Sequence, residues 1–245
     1  MSLKEIDISY DFRSDAHGKD PDAFSARLRR YHQLLWSKPL SNGKIFDLTE
    51  ENGAYLYHRS SLGEFFLSSD TAIPTFSKWK RLEEVINQVD PLEIEAFRSI
   101  CYTIGGMIIF PGNKINGKPT INGARGFNPR IADRFDLTLE CIRLFYLERN
   151  SPLSSTLSRY ADFFLLFENF QGYVDFFFLQ DLVREDLRIK FFIPFKDFES
   201  PSYPKNLDEY LEYRSQSINF VNERNNRIRG ITIYGEDNNY SNSKI

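Results

Sequence analysis

The sequence predicts one α+β domain over residues 1–235, with more helix than strand and a small antiparallel meander or hairpin region. Three observations lead to this fold class. The chain has 245 residues, enough to bury a sizeable core. Apolar side chains recur at helical spacing in most segments, but between about residues 44 and 75 they form short strand-like runs. No unit of about 20 to 50 residues repeats, which argues against a solenoid or a propeller.

The first half of the chain opens with a strand, because Ile6, Ile8 and Tyr10 alternate with polar residues. A helix over about residues 23–36 follows, with Asp20 or Asp22 as its cap. The runs KIFDLT, AYLYHR and EFFLSSD are separated by the turn-forming segments ENG and SSLG. These runs predict a β-meander over about residues 44–75.

The middle of the chain contains helical patterns over about residues 78–89 and from Asp90 toward Gly105. Residues 111–128 are then expected to form a basic β-hairpin, since Asn116-Gly117 is a signal for a two-residue turn.

The second half is predicted to be mainly helical. Asn128-Pro129 predicts the start of a helix, with an N-cap residue followed by proline. Residues 129–186 are expected to form an aromatic helical core, and a late helix covers about residues 207–228. The polar segment 236–245 predicts a disordered tail.

The composition limits the classes of function. With 31 basic and 34 acidic side chains the net charge is -3, which argues against bulk electrostatic binding to DNA or to an anionic membrane. The start of the chain lacks the pattern of a secretory signal, and its apolar runs are too short to span a bilayer. Cys101 and Cys141 lack metal-ligand spacing and are expected to be buried free thiols. We therefore expect a cytoplasmic protein without a membrane partner.

The segment from Pro111 to Arg134 carries the main functional hypothesis. Up to Ala132 it contains four cations and no acid, together with four glycines that allow the backbone to approach a ligand closely. Cations near a helix N-terminus oppose the macrodipole unless an anion is bound there. The predicted ligand-binding residues are Lys118, Arg125, Arg130, Arg134 and Arg13. The alternative is that neighbouring acids such as Asp133 and Asp136 neutralise these arginines within the fold.

A second candidate site lies in RSDAHGKDPD, directly after the opening strand. Asp15 and His17 are the candidates for acid–base catalysis, whereas the alternative is a turn whose aspartates cap the next helix. The histidines at positions 17, 32 and 58 do not share a metal-ligand spacing, so we predict no metal site. The sequence identifies no cofactor.

Several long segments resemble an uncharacterised bacterial family known only as a domain of unknown function. The resemblance rests on NPRIADRFDLTLECIR and RYADFFLLFENFQGYVDFFFLQDLV, and on RSDAHGKDPD, RRYHQLLWSKPLSNGK and GEFFLSSD. It covers most of residues 10–200. It implies a bacterial cytoplasmic origin and one full-length domain, and it supplies no catalytic residues.

The sequence therefore predicts a protein that binds a phosphate-bearing ligand, a nucleotide or nucleic acid, at the basic hairpin and the helix N-terminus. The alternative is a non-enzymatic interaction module or a homodimer that uses an aromatic helical surface. A small nuclease of the toxin or defence type is a third hypothesis, for which the sequence contains no nuclease signature. Whether the protein is an enzyme is left open.

Overall fold

Helices outweigh strands, 46% to 13%, in the computed structural model of the protein, which confirms the predicted α+β class. The structure describes residues 6–51, 54–199 and 201–231. The predicted tail at 236–245 lies outside these ranges. The opening strand is wrong in its described part, because residues 6–11 form turns and irregular backbone.

The regular elements follow one another in mixed order along the chain. The α-helices are α1 (Pro21–Phe24), α2 (Ala26–Trp36), α3 (Glu83–Ile86), α4 (Pro91–Cys101), α5 (Ile121–Phe127), α6 (Phe135–Tyr146), α7 (Ser154–Arg159), α8 (Ala161–Leu165), α9 (Phe170–Phe176) and α10 (Leu207–Arg229). The strands are β1 (Lys38–Pro39), β2 (Ile45–Phe46), β3 (Thr49–Glu51), β4 (Ala54–Ser60), β5 (Gly63–Thr71) and β6 (Met107–Pro111). Short 3-10 helices cover Phe12–Ser14, Lys80–Leu82, Ile104–Gly106 and Gln180–Leu182.

The main sheet is antiparallel, with strand order β3-β4-β5-β6. Strands β3, β4 and β5 form an antiparallel meander over residues 49–71, in which Leu56 pairs with Leu67. The first predicted run, KIFDLT, is divided, because Ile45–Phe46 pairs with β1 in a separate two-stranded sheet and only Thr49 belongs to the main sheet.

The fourth strand, β6, was not predicted from the sequence, and it pairs with β5 so that Ser69 lies opposite Ile109. Every residue of β6 is buried. Because a continuous apolar run lacks the alternation of a half-buried strand, it cannot be distinguished from a buried helix.

The predicted basic hairpin at 111–128 is wrong, although its central turn forms. Asn116 and Gly117 have left-handed φ angles of 51° and 68°. The Lys118 amide donates to the Ile115 carbonyl, as a two-residue turn requires. No strand flanks this turn, since β6 ends at Pro111 and α5 occupies residues 121–127.

The predicted helix start at Asn128-Pro129 is also wrong. Ala132 and Asp133 have left-handed φ angles of 51° and 60°, so the backbone cannot continue as a helix through them. The helix α6 therefore begins only at Phe135, with Arg134 at its N-cap position. The segment that was expected to present a helix N-terminus to an anion is a series of turns.

Aromatic side chains form the centre of the core. The helices α7, α8 and α9 are short, and α9 begins where the Asn169 side chain accepts a hydrogen bond from the Gly172 amide. Phe177, directly after α9, packs its ring 4.9 Å from that of Tyr173 and 5.1 Å from that of Trp36, measured between centroids. The aromatic core predicted for residues 129–186 therefore also includes Trp36 of α2, from the first half of the chain.

The long helix α10 confirms the late helix predicted over about residues 207–228. Its side chains bind the segment that leads into β6. Arg224 is fully buried and donates to the carbonyls of Gly105 and Met107, while Asn225 accepts from the Gly105 amide at 2.7 Å. A Cβ atom at position 105 would lie 2.4 Å from the Val221 carbonyl, so glycine is required for this approach.

Candidate functional site

Arg125 of the predicted anion site lies inside the fold and already has anionic partners. Its side chain is fully buried, with Nη1 2.8 Å from Asp70 Oδ2 and Nε 3.3 Å from Asp133 Oδ1. Its Nη2 donates to the carbonyls of Ala72 and Asp133. The guanidinium group is therefore neutralised and saturated within the chain, which is the alternative that the sequence left open.

Arg134 is placed in the same way. It is buried against the equally buried carboxylate of Asp136, and it also donates to the carbonyl of Ser202 at 2.8 Å. Asp136 accepts in addition from the Phe192 amide at 2.9 Å. The pair joins α6 to the segment around Phe192. Arg130, by contrast, is exposed.

The remaining predicted cations are on the surface or in other ion pairs. Lys118 is exposed in the turn after β6. Arg13 pairs with Asp11 and with Glu95, whose Oε1 lies 2.8 Å from Nη1. The structure thus distributes the five predicted ligand-binding cations over separate environments.

Asp15 and His17, the candidates for acid–base catalysis, do not form a site together. Asp15 Oδ2 accepts from the Arg27 amide at 3.1 Å and so caps the first turn of α2. His17 is exposed and has a left-handed φ angle of 52°. This outcome corresponds to the turn-and-cap alternative.

A cavity of about 500 Å³ lies between the first two helices and the main sheet. Its apolar lining consists of Leu28, Leu56, Phe66 and Leu67. Its polar lining includes Asp20, Asp22, Arg29, His32, Ser68 and Ser69. The volume is in the range of small-molecule sites, roughly 300–1,000 Å³. None of the residues that the sequence analysis selected for binding or catalysis lines it.

A directed series of hydrogen bonds ends in this cavity. The Trp36 indole N–H donates to His32 Nδ1 at 2.9 Å, and His32 Nε2 lies 2.9 Å from Ser69 Oγ. Because Nδ1 is an acceptor, the neutral imidazole has its proton on Nε2 and donates to Ser69. Ser69 also lies close enough to Asp22 to lower the pKa of its carboxyl group. His32 cannot act as a base toward Ser69 in this arrangement, so the series does not activate Ser69 as a nucleophile.

The electrostatic environment keeps His32 neutral and Asp22 protonated to higher pH than usual. Burial and the charge of Arg224 lower the pKa of His32 to about 3. Burial raises the pKa of Asp22 to about 6, against the hydrogen bond from Ser69, and the Asp20 carboxylate adds to the rise. The Asp22 Oδ1 atom is buried without a hydrogen-bond partner. Perturbed carboxyl groups of this kind, lining a cavity, are typical of functional sites.

Asp22 also belongs to a larger charged group. The charge of Arg125 lowers the pKa of Asp22, whereas Asp22 in turn raises that of Asp70. Burial raises the pKa of Asp70 despite its ion pair with Arg125, and Asp133 adds to the effect. One guanidinium group therefore compensates three neighbouring carboxyl groups, and Asp22 is the one that lines the cavity.

We expect Asp22→Asn to stabilise the protein above pH 7 and to have little effect near pH 4. The carboxyl pKa is about 6 in the fold and 3.8 in the unfolded chain. The folded state therefore binds more protons between these values and loses stability as pH rises through them. At about 1.4 kcal/mol per pKa unit, the ionised carboxylate costs up to about 3 kcal/mol, which asparagine removes. Urea unfolding of both proteins at pH 4 and pH 8 measures the difference. A variant that is less stable than the wild type at pH 8 would contradict this assignment.

Sequence reasoning missed this site for an identifiable reason. Asp22 lies in the second candidate segment, RSDAHGKDPD, but was singled out there only as a possible helix cap. The cap of α1 is Asp20, which accepts from the Asp22 amide at 3.2 Å. Ser69 and His32 are 37 positions apart. No local pattern brings them together, because only the packing of α2 on β5 does so.

The fold and the cavity define a helix-rich α+β protein with a small-molecule-sized site between its helices and its sheet. A model of the family of unknown function DUF6994 matches residues 6–228, and the chain belongs to this family. The resemblance to an uncharacterised domain is thereby confirmed. No curated protein and no solved structure matches the chain.

Within the described ranges, no three His, Cys, Asp or Glu side chains are grouped so that they could hold a metal ion. In the same ranges, no helix combines the length and the apolar character needed to cross a membrane.

Proposed function

We propose that the protein binds a small, partly apolar molecule in the cavity, and that a hydrogen-bond donor of this ligand contacts the carboxyl group of Asp22. The observation that carries the proposal is this carboxyl group, which lines a cavity of small-molecule size together with Leu28, Leu56, Phe66 and Leu67. One of its oxygens, Oδ1, is buried without a hydrogen-bond partner, so the fold leaves part of the hydrogen-bonding capacity of the group unused.

The hydrogen bonds beside Asp22 support the same proposal. Trp36, His32 and Ser69 form a hydrogen-bonded series next to the carboxyl group, so this part of the lining is ordered before a ligand arrives. Ionised Asp22 destabilises the folded state. Retention of the residue for ligand binding would explain this, since functional sites often reduce stability.

The phosphate-bearing ligand stays a prediction, and the geometry gives it less support than the cavity. Arg125 and Arg134 face carboxylates of the chain, and the cavity lining contains Asp20 and Asp22, which repel an anion. The interaction module or homodimer also stays a prediction, for which the buried position of the aromatic rings offers no argument.

A fragment screen with matched variants tests the proposal. Ala23 lines the cavity, whereas Ala26 is exposed at the start of α2. We expect neutral and amine fragments to bind the wild type and Ala26→Phe, as detected by ligand-observed NMR, and to lose binding in Ala23→Phe, where the new ring fills the cavity. Fragments that bind both phenylalanine variants equally, or no binding to the wild type, would contradict the proposal.

A further inference from the structure

The charges that line the cavity are predominantly negative. Asp20 and Asp22 both contribute carboxyl groups to the lining. The guanidinium group of Arg29 donates to the carbonyl of Ala23, at the end of α1, and is held there. His32 adds no positive charge, because its Nδ1 accepts the indole N–H of Trp36 and the ring stays neutral.

The groups that face Asp22 come from several elements. Asp20 is the N-cap residue of the same helix, α1. His32 and Arg29 belong to α2, and Ser69 and Asp70 belong to β5. The charge of Arg125 on α5 reaches Asp22, but Arg125 contacts Asp70 and Asp133 directly. Tyr102, after α4, also senses the charge of Asp22. This set leaves Asp22 without a cation of its own.

Part of the cavity lining is suited to an apolar group. Leu28, Leu56, Leu67 and the aromatic residue Phe66 belong to this part. A cation beside an aromatic ring gains about 0.5–2 kcal/mol in addition to its ion pair. The cavity volume of about 500 Å³ is also much larger than a single inorganic ion requires.

We infer, on the basis of the proposed function, that the ligand is an organic ammonium compound, whose charged nitrogen contacts the carboxyl group of Asp22 and whose apolar part packs against Leu28, Leu56, Phe66 and Leu67. An ammonium group supplies both a hydrogen-bond donor and the missing positive charge. A hydroxyl group supplies only the donor. Charge-assisted hydrogen bonds are roughly twice as strong as neutral ones, so the two groups are distinguishable by affinity.

Three probes of the same shape separate these possibilities: 2-phenylethylamine, 2-phenylethanol and phenylacetate. In NMR titrations at pH 7.5 we expect the amine to bind at least about tenfold more tightly than the alcohol, a difference of about 1.4 kcal/mol. Phenylacetate is expected not to bind, because its carboxylate would face those of Asp20 and Asp22.

The preference should depend on the charge of Asp22. In Asp22→Asn we expect the amine to lose its advantage while the alcohol retains its affinity. The matched control is Asp186→Asn, which removes an exposed carboxylate that pairs with Arg188, and it should keep the wild-type preference. At pH 5 the advantage of the amine should also shrink in the wild type, since Asp22 then carries a proton.

The failures of the two proposals are distinguishable. Equal binding of amine and alcohol to the wild type, or an amine preference that survives Asp22→Asn, would overturn the ammonium inference. In both cases loss of binding in Ala23→Phe would leave the cavity as a ligand site. Retention of amine binding in Ala23→Phe would place the ligand elsewhere and would overturn both proposals.

Discussion

Replacing Arg125 by methionine is expected to lower the free energy of unfolding by about 3–5 kcal/mol at pH 7, the usual cost of removing one partner of a buried ion pair. Asp70 and Asp133 would lose the guanidinium group that now lies between them. The loss should be smaller near pH 4. Burial raises the pKa of both carboxyl groups in the fold, so falling pH protonates them more readily than free carboxyl groups, and a protonated carboxyl group needs no counter-charge. Urea unfolding at the two pH values measures both effects.

Arg130→Met is the matched control, since it makes the same change at an exposed arginine five positions along the chain. Its effect should stay within about 0.5 kcal/mol, as for most surface substitutions. The opposite result for Arg125→Met, with unchanged stability and loss of binding to inorganic phosphate, would contradict the structural role. It would restore the anion site that the sequence predicted.

Phe177→Ala is expected to cost about 3–5 kcal/mol, the usual range for a buried phenylalanine. The ring is completely buried and lies within 5.2 Å of those of Tyr173, Phe176, Trp36 and Phe167, measured between centroids. The cavity left by the missing ring would lie between Trp36 of α2 and Tyr173 of α9. Thermal and urea unfolding measure the loss.

Phe127→Ala makes the same chemical change at the end of α5, where the side chain is 87% exposed. We expect an effect within about 0.5 kcal/mol. Similar losses for the two variants would mean that the aromatic segment around Phe177 is not the central core.

The elements that the sequence predicted correctly have clear local signals. The helix α2 has an apolar stripe that includes Leu28, Tyr31 and Leu35, all of which are buried. The meander strands are separated by turn residues, and α10 begins close to the predicted Leu207. The failures have equally definite causes. Met107–Pro111 is apolar throughout and so has no strand period, and the left-handed backbone at Ala132 and Asp133 delays α6.

The candidate site could not be predicted in the same way. The basic character of residues 111–134 was real, but the acids that neutralise it include Asp70, which is 55 positions from Arg125. Conversely, Asp22 resembles any aspartate at a helix start. Its relevant property, a carboxyl group that lines a cavity and has a buried oxygen without a partner, arises only when α1 and α2 pack against the main sheet. Sequence patterns identify charged residues, whereas the pairing that decides their function depends on tertiary contacts.

The central claim, that the cavity beside Asp22 is a ligand site, is tested most directly by one side-by-side NMR titration. In it, 2-phenylethylamine is added to the wild type, Asp22→Asn, Ala23→Phe and Ala26→Phe at pH 7.5. The account predicts binding to the wild type and to Ala26→Phe, at least about tenfold weaker binding to Asp22→Asn, and none to Ala23→Phe. Equal binding to all four proteins would contradict it.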